Sequence, residues 1–302
     1  MVALAEIRDV KQGQIRKGLA GAVLLGREGA TEITTLTTGA GSELAAIPTG
    51  SNGYQSLGRV ARDGSPTFTP EQEQSEVQTW GELEASRVDA ISKTTTIAWT
   101  CQDTRKSTLE LSTGLDLSQV WADATTGEVQ IVEPTEPDIT YYRAMFLMVD
   151  GRGSDAFFIA RYCPRFVVTT VGEESWNQEN PLVYPFTGRA LLDAELGYAV
   201  KRFYGGPGWK AALDESGFVP EPTSVSVTPA TASIAVAATQ QLSALDSNGT
   251  IVTSAVTWSS SDPTKATVNA SGLVTGVAAG SATITATYLG DLTDTSVITV
   301  TA

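Results

Sequence analysis

The chain contains no histidine. That removes the most frequent general base and the most frequent metal ligand near neutral pH. Cysteine is nearly absent too: Cys101 and Cys163 are the two present, both in strand-like stretches. Two cysteines without histidine are too few to hold a zinc ion. They read as two buried thiols in a reducing compartment rather than a disulfide. Long apolar runs are missing. The longest early run, Ala20 to Leu25, includes Gly21 and falls far short of the roughly 20 residues a spanning helix needs. Charges at Glu6, Arg8 and Asp9 interrupt the N-terminus, so no signal peptide is expected and synthesis is placed in the cytosol. Cations are scarce, 20 against 34 acids, for a net charge of −14. Residues 223–302 hold one cation, Lys265, and four acids, Asp246, Asp262, Asp291 and Asp294, leaving 19 − 30 = −11 in 1–222. The basic patches that grip duplex phosphates are therefore not expected.

A chain of 302 residues is long enough for about two domains, and 41% hydrophobic residues suffice for a core in each. The last eighty are the more legible. Apolar residues alternate with polar ones, the mark of strands with one buried face. Val225 and Val227 do so, then Ile234 and Val236, Leu242 and Ala244, Val256 and Trp258. Ala282, Ile284, Ala286 and Tyr288 face one way and Thr283, Thr285 and Thr287 the other; Ile298 and Val300 complete the set. Turn signals at Asp246-Ser-Asn-Gly249, Ser261-Asp-Pro263, Ser271-Gly272 and Leu289-Gly-Asp291 separate roughly seven strands, which argues a sandwich. The words Val256-Thr-Trp-Ser-Ser-Ser-Asp262, Ala266-Thr-Val268, Gly272-Leu-Val-Thr-Gly-Val-Ala-Ala-Gly280 and Ala282-Thr-Ile-Thr-Ala286 closely resemble the bacterial immunoglobulin-like group 2 family. Members occur on bacterial surface proteins and tailed-phage virion proteins and lack the antibody disulfide, as this stretch lacks cysteine. Trp258 is expected in its core.

Residues 1–217 also read as mostly β. Ala22-Val-Leu-Leu25 is a short apolar strand, and Ile97, Trp99 and Cys101 alternate with Ala98 and Thr100. Tyr141 to Val149 and Ala156 to Tyr162 flank the turn Asp150-Gly-Arg-Gly-Ser-Asp155 as a hairpin. Phe166 to Val171 and Leu182 to Leu192 pair around Gly172-Glu-Glu-Ser-Trp-Asn-Gln-Glu179. One helix is expected, capped by Asp103 or Thr104, containing Leu109 and Leu111 and ended by Gly114. Glu71 to Ala90 is ambiguous: Val77, Trp80 and Leu83 fit a helix that Gly81 weakens. Thr35 to Gly58, rich in Gly, Ser and Thr, reads as a long loop, and a loop that long is usually functional or ordered by a partner.

The order of elements then carries a second resemblance. Ser56-Leu-Gly-Arg-Val-Ala-Arg-Asp-Gly64 precedes the acidic Glu71–Glu76 stretch, the strand to Cys101, the helix and Gly114. Arg161-Tyr-Cys-Pro-Arg-Phe-Val-Val168, Pro185-Phe-Thr-Gly188 and Phe203-Tyr-Gly-Gly-Pro-Gly-Trp209 follow. From about residue 15 to 210 this resembles the major tail, or tail tube, proteins of long-tailed phages. The resemblance implies a mainly β fold: a β-sandwich or half-barrel with a flanking helix in 1–217, a linker at 218–222 and an immunoglobulin-like sandwich in 223–302. It implies hexameric rings stacked into a tube, whose inner strands complete one barrel around a lumen. It assigns Thr35–Gly58 to contacts with the adjacent ring. Tape measure, tail terminator and baseplate proteins are the implied further partners. Genomic DNA is expected to pass the lumen without specific binding, helped by the acidic surplus. The location implied is the virion, with no membrane partner. The C-terminal part is expected outside, beyond a flexible connector at Phe218-Val-Pro-Glu-Pro-Thr223, with weak contact to host-surface glycans as one role and none as the other.

Every tempting catalytic motif has a blander reading. Gly205-Gly-Pro-Gly208 lacks the following Lys-Ser or Lys-Thr of a phosphate loop and reads as a turn. Asp150 and Asp155 bracket a turn without the EF-hand pattern. Glu71, Glu73 and Glu76 crowd one polar run, as a solvated or interface face would, rather than forming the acid pair of a glycosidase. Glu173 and Glu174 sit in a hairpin tip and suit either a lumen or a ring interface. The sequons at Asn248 and Asn269 mark turns. No catalytic, cofactor-binding or metal residue is assigned, and no cofactor or enzymatic activity is expected. A bacterial surface or adhesion protein is the alternative, disfavoured by the missing signal sequence. A hydrolase with a sugar-binding module ranks last.

Overall fold

The computed structural model describes residues 15–302 apart from 51, 82, 134 and 136–138. Two compact units divide the chain between Glu215 and Ser216. In chain order the first contains β1 (Ala20–Arg27), β2 (Thr37–Thr38), β3 (Glu43–Leu44), β4 (Tyr54–Ser56), β5 (Thr67–Gln78), β6 (Ala85–Cys101), helix α1 (Lys106–Thr113), β7 (Tyr141–Asp150), β8 (Phe157–Val171), β9 (Tyr184–Leu191) and β10 (Lys201–Gly205). Eight of these strands form one antiparallel sheet, ordered β4-β1-β7-β8-β9-β6-β5, with β10 also on β8. Both expected hairpins are present: Tyr142 to Asp150 pairs with Phe166 to Phe157, and Arg165 to Val171 pairs with Leu191 to Phe186.

Strand β8 organises this unit because it has two successive neighbours on one edge. Phe158–Tyr162 pairs with β10 and Arg165–Val171 pairs with β9, while β7 occupies the opposite edge. Pro164 falls between the two partners. Proline has no N–H for a ladder and is confined to edges and bulges. Here the register with β7 jumps from Tyr142↔Phe166 to Ala144↔Cys163, so Pro164 lies in a bulge of β8. The bulge bends the strand and lets the sheet diverge into two halves.

One sheet face carries an aromatic core. The Trp99 ring lies 5.4 Å from Phe146, 5.8 Å from Phe166 and 5.5 Å from Phe186. Ile97, Trp99 and Cys101 are buried as their alternation predicts, and Leu111 of α1 joins the same cluster. The opposite face is covered only over the β1-β7-β8 half. There Leu24, Met145, Ala160 and Tyr162 meet Ala30, Ile33, Leu36 and Tyr54. The Tyr54 hydroxyl donates to the Thr31 carbonyl at 2.9 Å, and burial pushes its phenol well above the ordinary range.

Two expectations change here. Thr35–Gly58 is not a free loop: β2 and β3 form a small hairpin, β4 pairs with β1, and Leu36, Tyr54 and Leu57 are buried. Its Gly/Ser/Thr richness hid three apolar anchors. Helix α1 ends as expected at Gly114, in the left-handed region at φ 70°. Its N-cap, however, is Arg105, with no side-chain capping bond. Asp103 instead pairs with Arg105 at 3.1 Å and Arg59 at 3.8 Å, and the Thr104 hydroxyl bonds the Tyr184 hydroxyl at 3.0 Å.

The second unit holds nine short strands rather than seven: β11 (Val225–Thr228), β12 (Thr231–Ala235), β13 (Thr239–Gln241), β14 (Ser243–Asp246), β15 (Thr257–Ser260), β16 (Ala266–Val268), β17 (Leu273–Gly276), β18 (Gly280–Tyr288) and β19 (Leu292–Thr301). They form sheets β12-β19-β18-β15, β13-β17-β16 and β11-β14 around one core that includes Leu242, Val274, Ile284 and Ile298. Strand β12 lies parallel to β19. Trp258 packs against this core and its indole N–H donates to the Thr253 carbonyl at 3.0 Å. Val236 is the exception to the alternation. It is exposed because β12 stops at Ala235 and Ala237 turns the chain at φ 66°. The stretch read as a flexible connector is partly tied down: Asn248 Nδ2 donates to the Pro220 carbonyl at 2.8 Å and the Thr223 N–H to Ser247 Oγ at 3.0 Å.

Both cysteines are buried free thiols. Burial pushes the Cys101 thiol up to about 11 and the Cys163 thiol up to about 12. An unfolded thiol ionises near about 8.5. The native state therefore holds more protons above that pH, and this contribution to stability, full below it, is lost as pH rises toward 11 and 12. At pH 8 a disulfide reagent such as DTNB is expected to leave both thiols unmodified in the native protein and to titrate both in denaturant; rapid native labelling would contradict the burial.

Candidate assembly interface

Glu71 to Ala90, ambiguous in the sequence, forms most of a β-ribbon. Strand β6 pairs with β9 from Thr95 onward, whereas Ala85–Thr94 pairs with β5 alone among the described residues. From Glu71↔Thr94 to Gln78↔Ala85 this gives a two-stranded projection about 26 Å long at the usual strand rise. Such a ribbon is marginal in water unless a third strand or a packed face supports it. Its Glu, Gln and Ala residues favour helix locally; the hairpin pairing of Glu71–Gln78 with Ala85–Thr94, continuous with the Thr67–Pro70 pairing to Thr95–Ala98, overrides that preference. Val77, Val88 and Ile91 on the ribbon are exposed, and at the tip Trp80 and Leu83 reach 103% and 104% of full exposure. Gly81, the residue that weakened a helix, is the tip residue at φ 92°. Solvated apolar side chains gathered on a thin projection make it a candidate interaction surface.

A second feature lies beside the ribbon. On the β8-β9-β6-β5 half, the face opposite the aromatic core is bare among the described residues. Strand alternation and register put Thr67, Thr69, Thr96, Ala98 and Thr187 on it, with Arg189 and, farther along the ribbon, Glu71 and Glu73. Small hydroxyl and charged side chains predominate there. Glu71 and Glu73 are exposed, and Glu73 accepts a bond from Ser92 Oγ at 3.3 Å. Glu76, an odd three residues beyond Glu73, falls on the other ribbon face. Glu173 and Glu174 are exposed in the connection between β8 and β9.

A groove of about 410 Å³ adjoins α1, lined in part by Leu25, Arg27, Leu57, Lys106, Leu111 and Tyr142. Its charges are satisfied internally. Arg27 donates to Asp116 at 2.7 Å and to Glu110 at 3.3 Å. The Arg27 contact, assisted by the Ser118 N–H, holds the Asp116 carboxyl well below its ordinary range. Because that pair is solvent-exposed it contributes little to stability. Asp150 accepts the Lys17 N–H at 3.0 Å. Among the described residues no cluster of three or more His, Cys, Asp or Glu is placed to hold a metal. Gly205-Gly-Pro-Gly208 leads from β10 into the short helix Pro207–Ala211. Gly206, at φ 104°, passes so close to the Ala156 carbonyl that a Cβ would collide with it. Packing, not phosphate, explains these glycines.

The ribbon and bare face lie within a stretch whose relatives are known. The family model described as "Phage tail tube protein" matches residues 10–195. The chain belongs to that family. Residues 221–300 match the family "Bacterial Ig-like domain (group 2)". The protein is thus a structural phage tail protein, a virion component, with an immunoglobulin-like domain at its C-terminal end; neither family is one of enzymes. Ice-binding protein 1 of Shewanella frigidimarina (strain NCIMB 400) is 45% identical over 71 residues, 22% of this chain but only 8% of that protein. A chain of the six-fold symmetrised cryo-EM structure of the anti-feeding prophage (AFP) baseplate aligns with 62% of this chain and 93% of its own, at 8% identity and TM-score 0.35. No helix among the described residues is long and apolar enough to cross a membrane.

Sequence reading missed the ribbon and the bare face. The signal available for the first was the β-branched run Thr94-Thr-Thr-Ile97 leading without a break into an arm that has no complete apolar stripe. If the tip serves assembly rather than folding, Trp80→Ser/Leu83→Ser shifts monomer stability by no more than about 0.5 kcal/mol. The same variant should fail to form higher assemblies in sedimentation velocity. Wild-type assembly by the variant would remove the tip from the interface.

Proposed function

We propose that this chain is the major tail tube subunit of a long-tailed phage, assembling into stacked, six-membered rings through which DNA is ejected. The observation that carries this reading is the bare face of β8-β9-β6-β5. A sheet with an aromatic core on one side and hydroxyls with Arg189 on the other, continued along the ribbon by Glu71 and Glu73, suits the wall of a water-filled channel. Glu71 and Glu73 on the ribbon and the chain's acidic surplus repel DNA phosphates, so the duplex slides instead of adhering. The outer edge of β5, twelve residues long, has no partner strand among the described residues. Side-by-side subunits in a ring would cover it, which manages an otherwise aggregation-prone edge. Thr35–Gly58, assigned to the adjacent ring on sequence, is occupied in covering its own sheet; the β5–β6 ribbon takes the reaching role instead.

In this reading residues 1–217 are the tube domain, 218–222 a linker and 223–302 an ornament on the outer wall. The ornament's Ser/Thr-rich surface suits weak host-glycan contact. Tape measure, tail terminator and baseplate proteins would meet the tube at its lumen and ends. The chain performs no catalysis, and it is made in the host cytoplasm before incorporation.

Negative-stain electron microscopy of the purified protein over a concentration series is the direct test, paired with mass spectrometry of purified virions. Hollow tubes with peripheral knobs are expected, together with abundant peptides of this chain in tails. Absence of the chain from the virions would sink the proposal. Deleting 223–302 should remove the knobs and leave the tubes; tubes lost on deletion would make that part an assembly element.

A further inference from the structure

Arg161 and Arg202 stand directly opposite each other on β8 and β10. Like charges in that position repel. Among the described residues no carboxylate lies within ion-pair distance of either guanidinium. Arg161 cannot easily swing away, because its guanidinium lies 3.9 Å over the Phe68 ring. Burial and then the neighbouring Arg202 push Arg161 below its ordinary range, so the repulsion is felt where it stands. Two residues along β10, on the same face as Arg202, Tyr204 is 47% exposed and stacks on Trp209 with ring centroids 5.4 Å apart. The sheet thus presents two uncompensated cations beside an aromatic shelf.

The complementary chemistry sits farther along the same strand. From Arg161 to Val171, the last residue of β8, is about 33 Å at the strand rise. The chain then enters Gly172-Glu-Glu-Ser-Trp176, where Glu173 and Glu174 are exposed and Trp176 is 85% exposed. Two adjacent acids with a solvated indole match two adjacent cations with an aromatic shelf. The two patches are separated along one subunit, so they cannot satisfy each other within it. They can do so between copies, head to tail; such a contact closes into a ring where the rotation closes and propagates as a stack where it does not, and the second is what a tube requires between its rings.

We propose that Glu173, Glu174 and Trp176 of one copy dock on Arg161, Arg202 and Tyr204 of the next copy along the tube. This rests on the tube reading and adds to it the residues that join successive rings. The carboxylates supply charge-assisted hydrogen bonds to the guanidinium pair, and the indole packs on Tyr204. The contact relieves the Arg161–Arg202 repulsion, so stacking becomes favourable where the free subunit is frustrated.

Charge exchange in the full-length chain tests the contact. Arg202→Glu leaves Arg161 on Phe68, and retention of the fold is checked by circular dichroism and thermal melting. We expect Arg202→Glu alone, and Glu173→Lys/Glu174→Lys alone, to raise the concentration needed for tube growth by about tenfold or more while leaving single rings intact. Combining all three substitutions should restore much of the tube length seen by electron microscopy. Wild-type tubes from Arg202→Glu would overturn the contact while leaving the tube reading standing. So would failure of the combined variant to recover, which would give the arginine pair a different partner. A wild-type chain absent from virion tails would remove the tube reading and this contact together.

Discussion

The first unit depends on one strand having to serve two partners. If β8 paired with a single neighbour along its whole edge, the sheet would be a plain antiparallel layer. Instead its edge passes from β10 to β9, and the change takes place at Pro164, where the missing N–H costs no ladder bond. Around that bulge the strand bends, and the two halves of the sheet acquire different surroundings. One half is covered on both faces. The other keeps its aromatic core on one side and leaves the opposite side to solvent.

This asymmetry separates stability from function. The Trp99–Phe146–Phe166–Phe186 cluster and the Tyr54-anchored cover make the subunit a folded object. Neither asks anything of the ribbon or the bare face. Those parts gain little from the subunit's own core and retain solvated apolar side chains and a long edge without a partner strand among the described residues, while Arg161 and Arg202 keep like charges opposed on β8 and β10. Each is unfavourable in an isolated chain. Each becomes acceptable when a second chain is present, which is why the proposed assembly contacts fall on these local conflicts.

What could be read from the sequence followed the same division. Residues whose environment is set within the subunit showed themselves: Ile97, Trp99 and Cys101 by alternation, Gly114 by its left-handed turn, Ala282 to Tyr288 by a clean period of two. Glu71 to Ala90 did not, because a ribbon without a core imposes no apolar stripe and its Glu, Gln and Ala residues suggest a helix. Thr35–Gly58 misled for the converse reason: Leu36, Tyr54 and Leu57 are buried, but irregular spacing hid them among glycines and hydroxyls. The bulge at Pro164 was invisible, since its meaning requires knowing that β9 and β10 share one edge of β8.

The parallel pairing of β12 with β19 has a mechanical consequence. Thr231–Ala235 and Val297–Thr301 run side by side in the same direction over five paired positions. Tension applied between Thr231 and Thr301 pulls these strands past each other lengthwise. Their hydrogen bonds then share the load and must rupture together; they cannot peel open one at a time. A domain connected in this way resists stretching far better than a hairpin of equal thermodynamic stability.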